Sequence, residues 1–215
     1  MTVVFNIQNT YPVMGEKLHA KNSVVLDFSA SNKRLKKVDL SDTTKFDAFV
    51  NKQLGKKKYG YGGYLENRVI YKRSDHFQQG ESRSMHLGVD VWTKTLHPVF
   101  CPLDGTIHSF KDNNNFGDYG PTIILEHKHI NLNFYTLYGH LSADSLKGMA
   151  IGSTIKKGSI FCELGAINEN GNWPPHLHFQ IITDLEGRHG DFPGVCAPAE
   201  LSHYQQICPN PYQFI

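Results

Sequence analysis

Residues 173–182 read WPPHLHFQII, and from Leu177 to Ile182 polar and apolar side chains alternate with the period of two that marks a strand. His176 and His178 are two apart and therefore share a face of an extended chain, which Gln180 also joins. Upstream, residues 85–92 read MHLGVDVW. His86 and Asp90 are again an even number of residues apart, so both side chains converge on one point if the segment is extended, with Gly88 allowing the backbone to bend. Further strand-like runs cover Val89 to Trp92, Thr106 to Phe110, Thr122 to His127, Leu132 to Tyr138 and Ile160 to Leu164. The turn signals between them are short: Leu103-Asp104-Gly105, Lys128 to Asn131 and Lys156-Lys157-Gly158. After residue 86 no interval holds the helix of a dozen residues that a parallel crossover needs. The reading is a mainly β fold, an antiparallel sheet joined by long loops.

The first part of the chain differs. Phe46, Phe49, Val50 and Leu54 recur at helical spacing, Ser41 or Asp42 can cap the start, and Gly55 can end the run. One short amphipathic helix is predicted there, followed by KKKYGYGGYLENR, whose glycines mark a boundary. Residues 1–65 are thus read as an N-terminal extension packed on or leading into the core, and 66–215 as the main domain. At 215 residues with 40% hydrophobic side chains, the chain buries one substantial core. The 22 Lys and Arg nearly cancel the 20 Asp and Glu, which gives no electrostatic footprint for nucleic acid. No apolar run approaches the roughly 20 residues that span a bilayer, so membrane insertion is not expected. The start, MTVVFNIQNT, has no basic n-region and only Val3, Val4 and Phe5 as an apolar run, so a cytoplasmic location is expected over a secreted one. Cys101, Cys162, Cys196 and Cys208 form no CxxC pair and are expected reduced and structural. Cys196 and Cys208 are the one pair to consider for a bridge outside the cell.

Twelve histidines stand out. A set of His, Asp and His suits Zn²⁺ with three protein ligands and one open position, the arrangement of a catalytic rather than a structural zinc. His140, in Tyr138-Gly139-His140, sits where an apolar strand emerges into a loop, a common place for a reactive side chain. No HExxH is present, so the Glu base of that zinc-peptidase class is missing from its expected place.

Taken together, MHLGVD, PLDGTI, YTLYGHLS, IKKG and WPPHLHFQI, in this order over residues 85–182, resemble the M23 zinc metallopeptidases, the family of lysostaphin and LytM-like endopeptidases. RSMHLGVD, residues 118–127 and GDFPGV also look like the M23-type domains fused to aminotransferase-like proteins, which generally lack export signals. The resemblance implies a groove floored by an antiparallel sheet. It implies one Zn²⁺ per chain held by His86, Asp90 and His178, and catalytic roles for His140 and His176. The implied activity is a zinc-dependent metalloendopeptidase in which two histidines assist a zinc-activated water, acting on peptidoglycan-type peptides. The alternatives are a non-catalytic M23-like binding module and an intracellular zinc hydrolase acting on another peptide or amide. In the family an upstream segment can also place a side chain on zinc, so occlusion by residues 1–65 is a further possibility.

Several residues carry a plainer expectation beside a functional one. Arg83 is read as forming a surface or loop-bracing salt bridge rather than a substrate clamp. Gln180 is equally an outer metal-site partner or a sheet-surface amide. Trp173 and Tyr138 are read as core aromatics before groove walls. His127 and His129 form a second HxH, expected to be exposed at a hairpin turn. The oligomeric state is left open.

Overall fold

A computed structural model describes residues 7–78, 80–129 and 132–215. In chain order its regular elements are β1 (Ser23–Val25), α1 (Thr43–Leu54), β2 (Tyr59–Gly62), β3 (Met85–His86), β4 (Val89–Trp92), β5 (Pro98–Phe100), β6 (Gly105–Asn113), β7 (Gly120–His129), β8 (Leu132–Gly139), β9 (Thr154–Ile155), β10 (Ile160–Glu163), β11 (His176–Ile182), β12 (Val195–Cys196) and α2 (Leu201–Ile207). The main sheet has eight strands in the order β1-β2-β4-β11-β8-β7-β6-β9, and β10-β5 and β12-β3 form two small ribbons. The fold is mainly β, as the alternation implies, and β4, β8 and β11 lie side by side at its centre.

One pair departs from the antiparallel expectation: β1 runs parallel to β2, with Ser23 opposite Tyr59. The reason is α1, which lies between them and supplies the crossover that a parallel pair requires. The argument against crossovers holds after residue 86, but the helix before it makes one. Asp42 caps α1 by accepting a hydrogen bond from Lys45 N at 3.1 Å, and Gly55 ends it at φ +57°. The apolar stripe Phe46, Phe49 and Val50 is buried, with Phe46 5.7 Å from Phe28 and 6.2 Å from Trp173 between ring centroids. Residues 23–62 therefore continue the same sheet and back the loop that carries Trp173.

Strand β11 shows how the sheet positions the site. Leu177, Phe179 and Ile181 turn to the core with Val89 and Val91, while His176, His178 and Gln180 take the other face, and all are buried. His127 is a correction to the expected exposed turn. Strand β7 runs on to His129, so His127 lies opposite Phe134 inside the sheet and is buried. Its Nδ1 pairs with Asp104 O at 3.0 Å and its Nε2 with Thr136 Oγ1 at 2.7 Å. The tip of the turn, residues 130–131, and the run Val3 to Phe5 lie outside the described residues. All four cysteines are free and buried. Among the described residues no helix is long and apolar enough to cross a membrane.

Candidate metal centre

Three short segments bring the donors together. His178 on β11 stands directly opposite Asp90 on β4, and His86 ends β3, with two residues between it and the start of β4. Gly88 lies in that gap because nothing larger fits: a Cβ there would be 2.7 Å from Phe179 O and 2.8 Å from the His178 ring. His86 Nε2, Asp90 Oδ1 and His178 Nδ1 form a triangle with edges of 3.2, 3.0 and 3.0 Å. Four ligands at about 2.0–2.1 Å from a tetrahedral zinc stand about 3.3–3.4 Å apart, so the three atoms are already close to ligand spacing.

Proton bookkeeping identifies the three facing atoms as acceptors. His86 Nδ1 lies 2.9 Å from Gly63 O, which only accepts, so the ring proton sits on Nδ1 and Nε2 is bare. Burial, reinforced by the nearby Arg68 charge, pushes His86 down to about 3, so it is neutral near pH 7. Gln180 Nε2 donates to Pro193 O at 3.1 Å, which turns Gln180 Oε1 to His178 Nε2 at 2.9 Å. Because Gln180 Oε1 only accepts, the His178 tautomer that satisfies it carries its proton on Nε2 and turns Nδ1 to the triangle as an acceptor. Burial opposes the charge on Asp90, but the Arg68 guanidinium paired with its Oδ2 holds the carboxyl well below the usual carboxylate range. Three acceptor atoms thus face one another in a buried place, and only a proton or a metal ion relieves them. Gln180, open between two readings from sequence, is an outer partner of this group.

His140 and His176 complete the cluster. His140 donates Nδ1–H to Asn170 O at 2.8 Å and His176 donates Nδ1–H to Pro174 O at 2.7 Å, which leaves Nε2 unprotonated in both. Their ring centroids are 4.1 Å apart, and His176 stacks on Trp92 at 5.1 Å. Burial is the main cause that pushes His176 down to about 4 and His140 well below its ordinary value. His140 also sits at φ +62°, a left-handed conformation uncommon for a side-chain-bearing residue and often found where geometry serves a site.

These histidines, Asp90 and His178 line a cavity of about 180 Å³. Its walls also include Tyr71, Phe77, Arg83, Tyr119, Trp173 and residues 191–195. Among the described residues Arg83 makes no salt bridge, contrary to expectation; it braces its loop by donating to the His76 carbonyl and covering the Phe77 ring, and it also borders the cavity. Trp173 is both packed among Phe46, Tyr71 and Phe77 and part of the wall. Tyr138 belongs to the core alone. No His, Cys, Asp or Glu of the described leader joins the donor group; its contribution is the Gly63 carbonyl behind His86.

Two residues near the donors carry no signal in the sequence reading. Tyr119 packs its ring 5.0 Å from His178 and 5.6 Å from His140. Its only hint is its place within the DYGP stretch. Arg68 grips Asp90 from behind, and its distance along the chain from the motifs hides it.

The model for peptidase family M23 matches residues 84–191, half of the chain, and the chain belongs to that family. Among solved structures it is similar to a zinc-containing peptidase from Vibrio cholerae, at 27% identity over 46% of this chain and 27% of that one, with a TM-score of 0.37. It is also similar to the catalytic domain of the antimicrobial peptidase lysostaphin from Staphylococcus simulans, at 24% identity over 67% of this chain and 90% of that one, with a TM-score of 0.41. Csd3 from Helicobacter pylori shares 23% identity over 61% of this chain, with a TM-score of 0.39. The chain spans 27% of the length of the Vibrio and Helicobacter proteins. No curated protein sequence matches it.

Proposed function

We propose that this chain is a zinc-dependent metalloendopeptidase, with one Zn²⁺ held by His86, Asp90 and His178, acting on peptidoglycan-type peptides. The observation that carries the reading is the triangle of bare acceptor atoms beside two further histidines whose Nε2 atoms are also free. One carboxylate and two imidazole nitrogens are a fitting donor set for zinc, and they leave room for a fourth position toward the cavity. Bound there, zinc would supply Lewis acidity to a peptide carbonyl and to water.

The chain's own groups do the rest. His140 and His176, neutral and with Nε2 bare, accept a proton from water or return it to the leaving amine. The backbone carbonyls of Asn170 and Pro174 hold each ring in the tautomer that this requires and steady the imidazolium that forms. The cavity, smaller than the roughly 300–1,000 Å³ of common ligand pockets, supports a substrate with small residues at the scissile bond. In this reading residues 66–215 form the peptidase domain and residues 1–65 a bracing extension. Kinship to the domains fused with aminotransferase-like proteins, and a cytoplasmic setting, belong to the same proposal and rest on the sequence likeness alone.

The test is mass spectrometry of products after the zinc-loaded protein meets a panel of muropeptides, oligoglycines and ordinary peptides, with His176→Ala as control. Cleavage by the wild type alone is expected, and its position gives the bond. Stoichiometric zinc and specific peptide binding without any cleavage would instead support the binding-module reading, and cleavage confined to non-wall peptides the intracellular hydrolase.

A further inference from the structure

Arg68 is a fully buried guanidinium, each of whose three nitrogens makes a hydrogen bond. Its Nε donates to Glu66 Oε2 at 2.8 Å, its Nη2 to Gly62 O at 3.1 Å, and its Nη1 to Asp90 Oδ2 and to Tyr71 Oη, the latter at 3.3 Å. Phe28 and Trp92 lie against its carbon at 5.5 and 5.4 Å. The backbone is shaped around it: Gly63 sits at φ +103°, and a Cβ there would fall 1.8 Å from Nη2. Glu66 in turn accepts from Phe28 N at 2.8 Å through its other oxygen. A hydrogen-bonded line therefore runs from the N-terminal segment through Glu66 and Arg68 to Asp90.

What matters is which oxygen of Asp90 is taken. Arg68 occupies Oδ2, while Oδ1 faces His86 and His178. A carboxylate so held cannot turn both oxygens to one ion. We propose that Arg68 is a positioning residue that presents Asp90 as a single-oxygen metal ligand and so biases the centre toward a small four-coordinate cation such as zinc, against larger cations that favour two-oxygen carboxylate binding. The proposal rests on the metal-site reading above. Lysine cannot substitute, because one ammonium cannot reach Glu66, Gly62 and Asp90 at once in a fixed fork. Outer partners of metal ligands typically change affinity about 10–100-fold.

The experiment uses the full chain, with zinc and cobalt(II) as probes. Zinc affinity is measured by chelator competition and cobalt coordination by visible absorption, while circular dichroism reports the fold. Arg68→Lys is expected to fold, to bind zinc about 10–100-fold more weakly, and to lose the intense cobalt bands of a four-coordinate site as Asp90 adds its second oxygen. A folded Arg68→Lys protein with wild-type zinc affinity and an unchanged cobalt spectrum would overturn the assignment and leave Arg68 as a structural brace. Should Arg68→Lys fail to fold, Glu66→Gln keeps the shape but loosens the other anchor of the guanidinium. It is expected to weaken zinc several-fold, and no change there would overturn the proposal equally. A wild-type chain that binds no zinc would remove the metal-site reading itself, whereas equal binding by wild type and variants removes only the role of Arg68.

Discussion

Asp90 and His178 face each other across the β4–β11 pair, with Oδ1 and Nδ1 3.0 Å apart. A directly opposed cross-strand pair is among the most constrained placements a sheet offers, since neither side chain can shift without moving the register. Asp90→Asn and His178→Ala are therefore expected to abolish stoichiometric zinc, with a loss beyond the roughly 10–100-fold seen for outer partners. Elemental analysis of protein dialysed against trace zinc checks this. Retained stoichiometry in either variant would move the metal elsewhere.

Under the proposed mechanism His140 and His176 serve turnover and not metal binding. Replacing His176 by Ala, or His140 by Asn, which tolerates the positive φ, is expected to leave zinc content intact and lower kcat by about 10²–10⁴. Equal kcat in wild type and both variants would remove these residues from the mechanism.

Gln180→Leu removes the acceptor that keeps the His178 proton on Nε2 and empties a fully buried polar site. Zinc affinity is expected to fall about 10–100-fold with secondary structure retained. Competition with a chromophoric chelator measures it, and a change under twofold would make Gln180 a packing amide.

Acid lability follows from the buried imidazoles. Burial brings His86 from 6.5 to about 3 and His176 from 6.5 to about 4, and holds His140 well below its ordinary value. From pH 6.5 down to about 4 for His176 and to about 3 for His86, the unfolded chain binds protons that the folded chain refuses, so stability rises with pH across this window. The contribution is whole above pH 6.5 and lost as the pH falls through it; for His176 alone it corresponds to on the order of 3 kcal/mol. Urea unfolding of metal-free protein is expected to show a midpoint that drops steeply over that range. A flat profile would mean that these rings are not held neutral by the fold.

Deleting residues 7–62 removes β2 from the edge of β4, opposite Asp90, along with the packing of α1 behind Trp173. Loss of soluble folded protein is expected, read by circular dichroism and size exclusion. A folded, more active truncation would instead make the segment an inhibitor.

The parts of this structure legible in sequence are those written in local spacing. The alternation of β11, the helical stripe of α1 with its Asp42 and Gly55 ends, and the even separations that align His86 with Asp90 and His176 with His178 all operate over a few residues. What spacing could not show depends on distant partners. The parallel β1–β2 pair arises because a helix happens to bridge two very short strands. His127 looked like a turn residue because hairpin tips are marked by composition, while its burial depends on Thr136 and Asp104. Gln180 could not be placed between surface and outer shell until Pro193 fixed its amide. Arg68 belongs to no motif, and its meaning appears only when β2 and β4 lie side by side.

The region that matches the family spans 84–191, and a fragment cut at those borders would keep every donor atom. It would nonetheless lose Gly63 and Arg68 from behind His86 and Asp90, and Pro193 and Cys208 from behind Gln180. The ligands would survive the scissors with their scaffolding gone on both sides. The smallest part of this chain that keeps the donor atoms together with their partners is therefore wider than its recognisable motif, reaching from the glycines near residue 62 to Cys208.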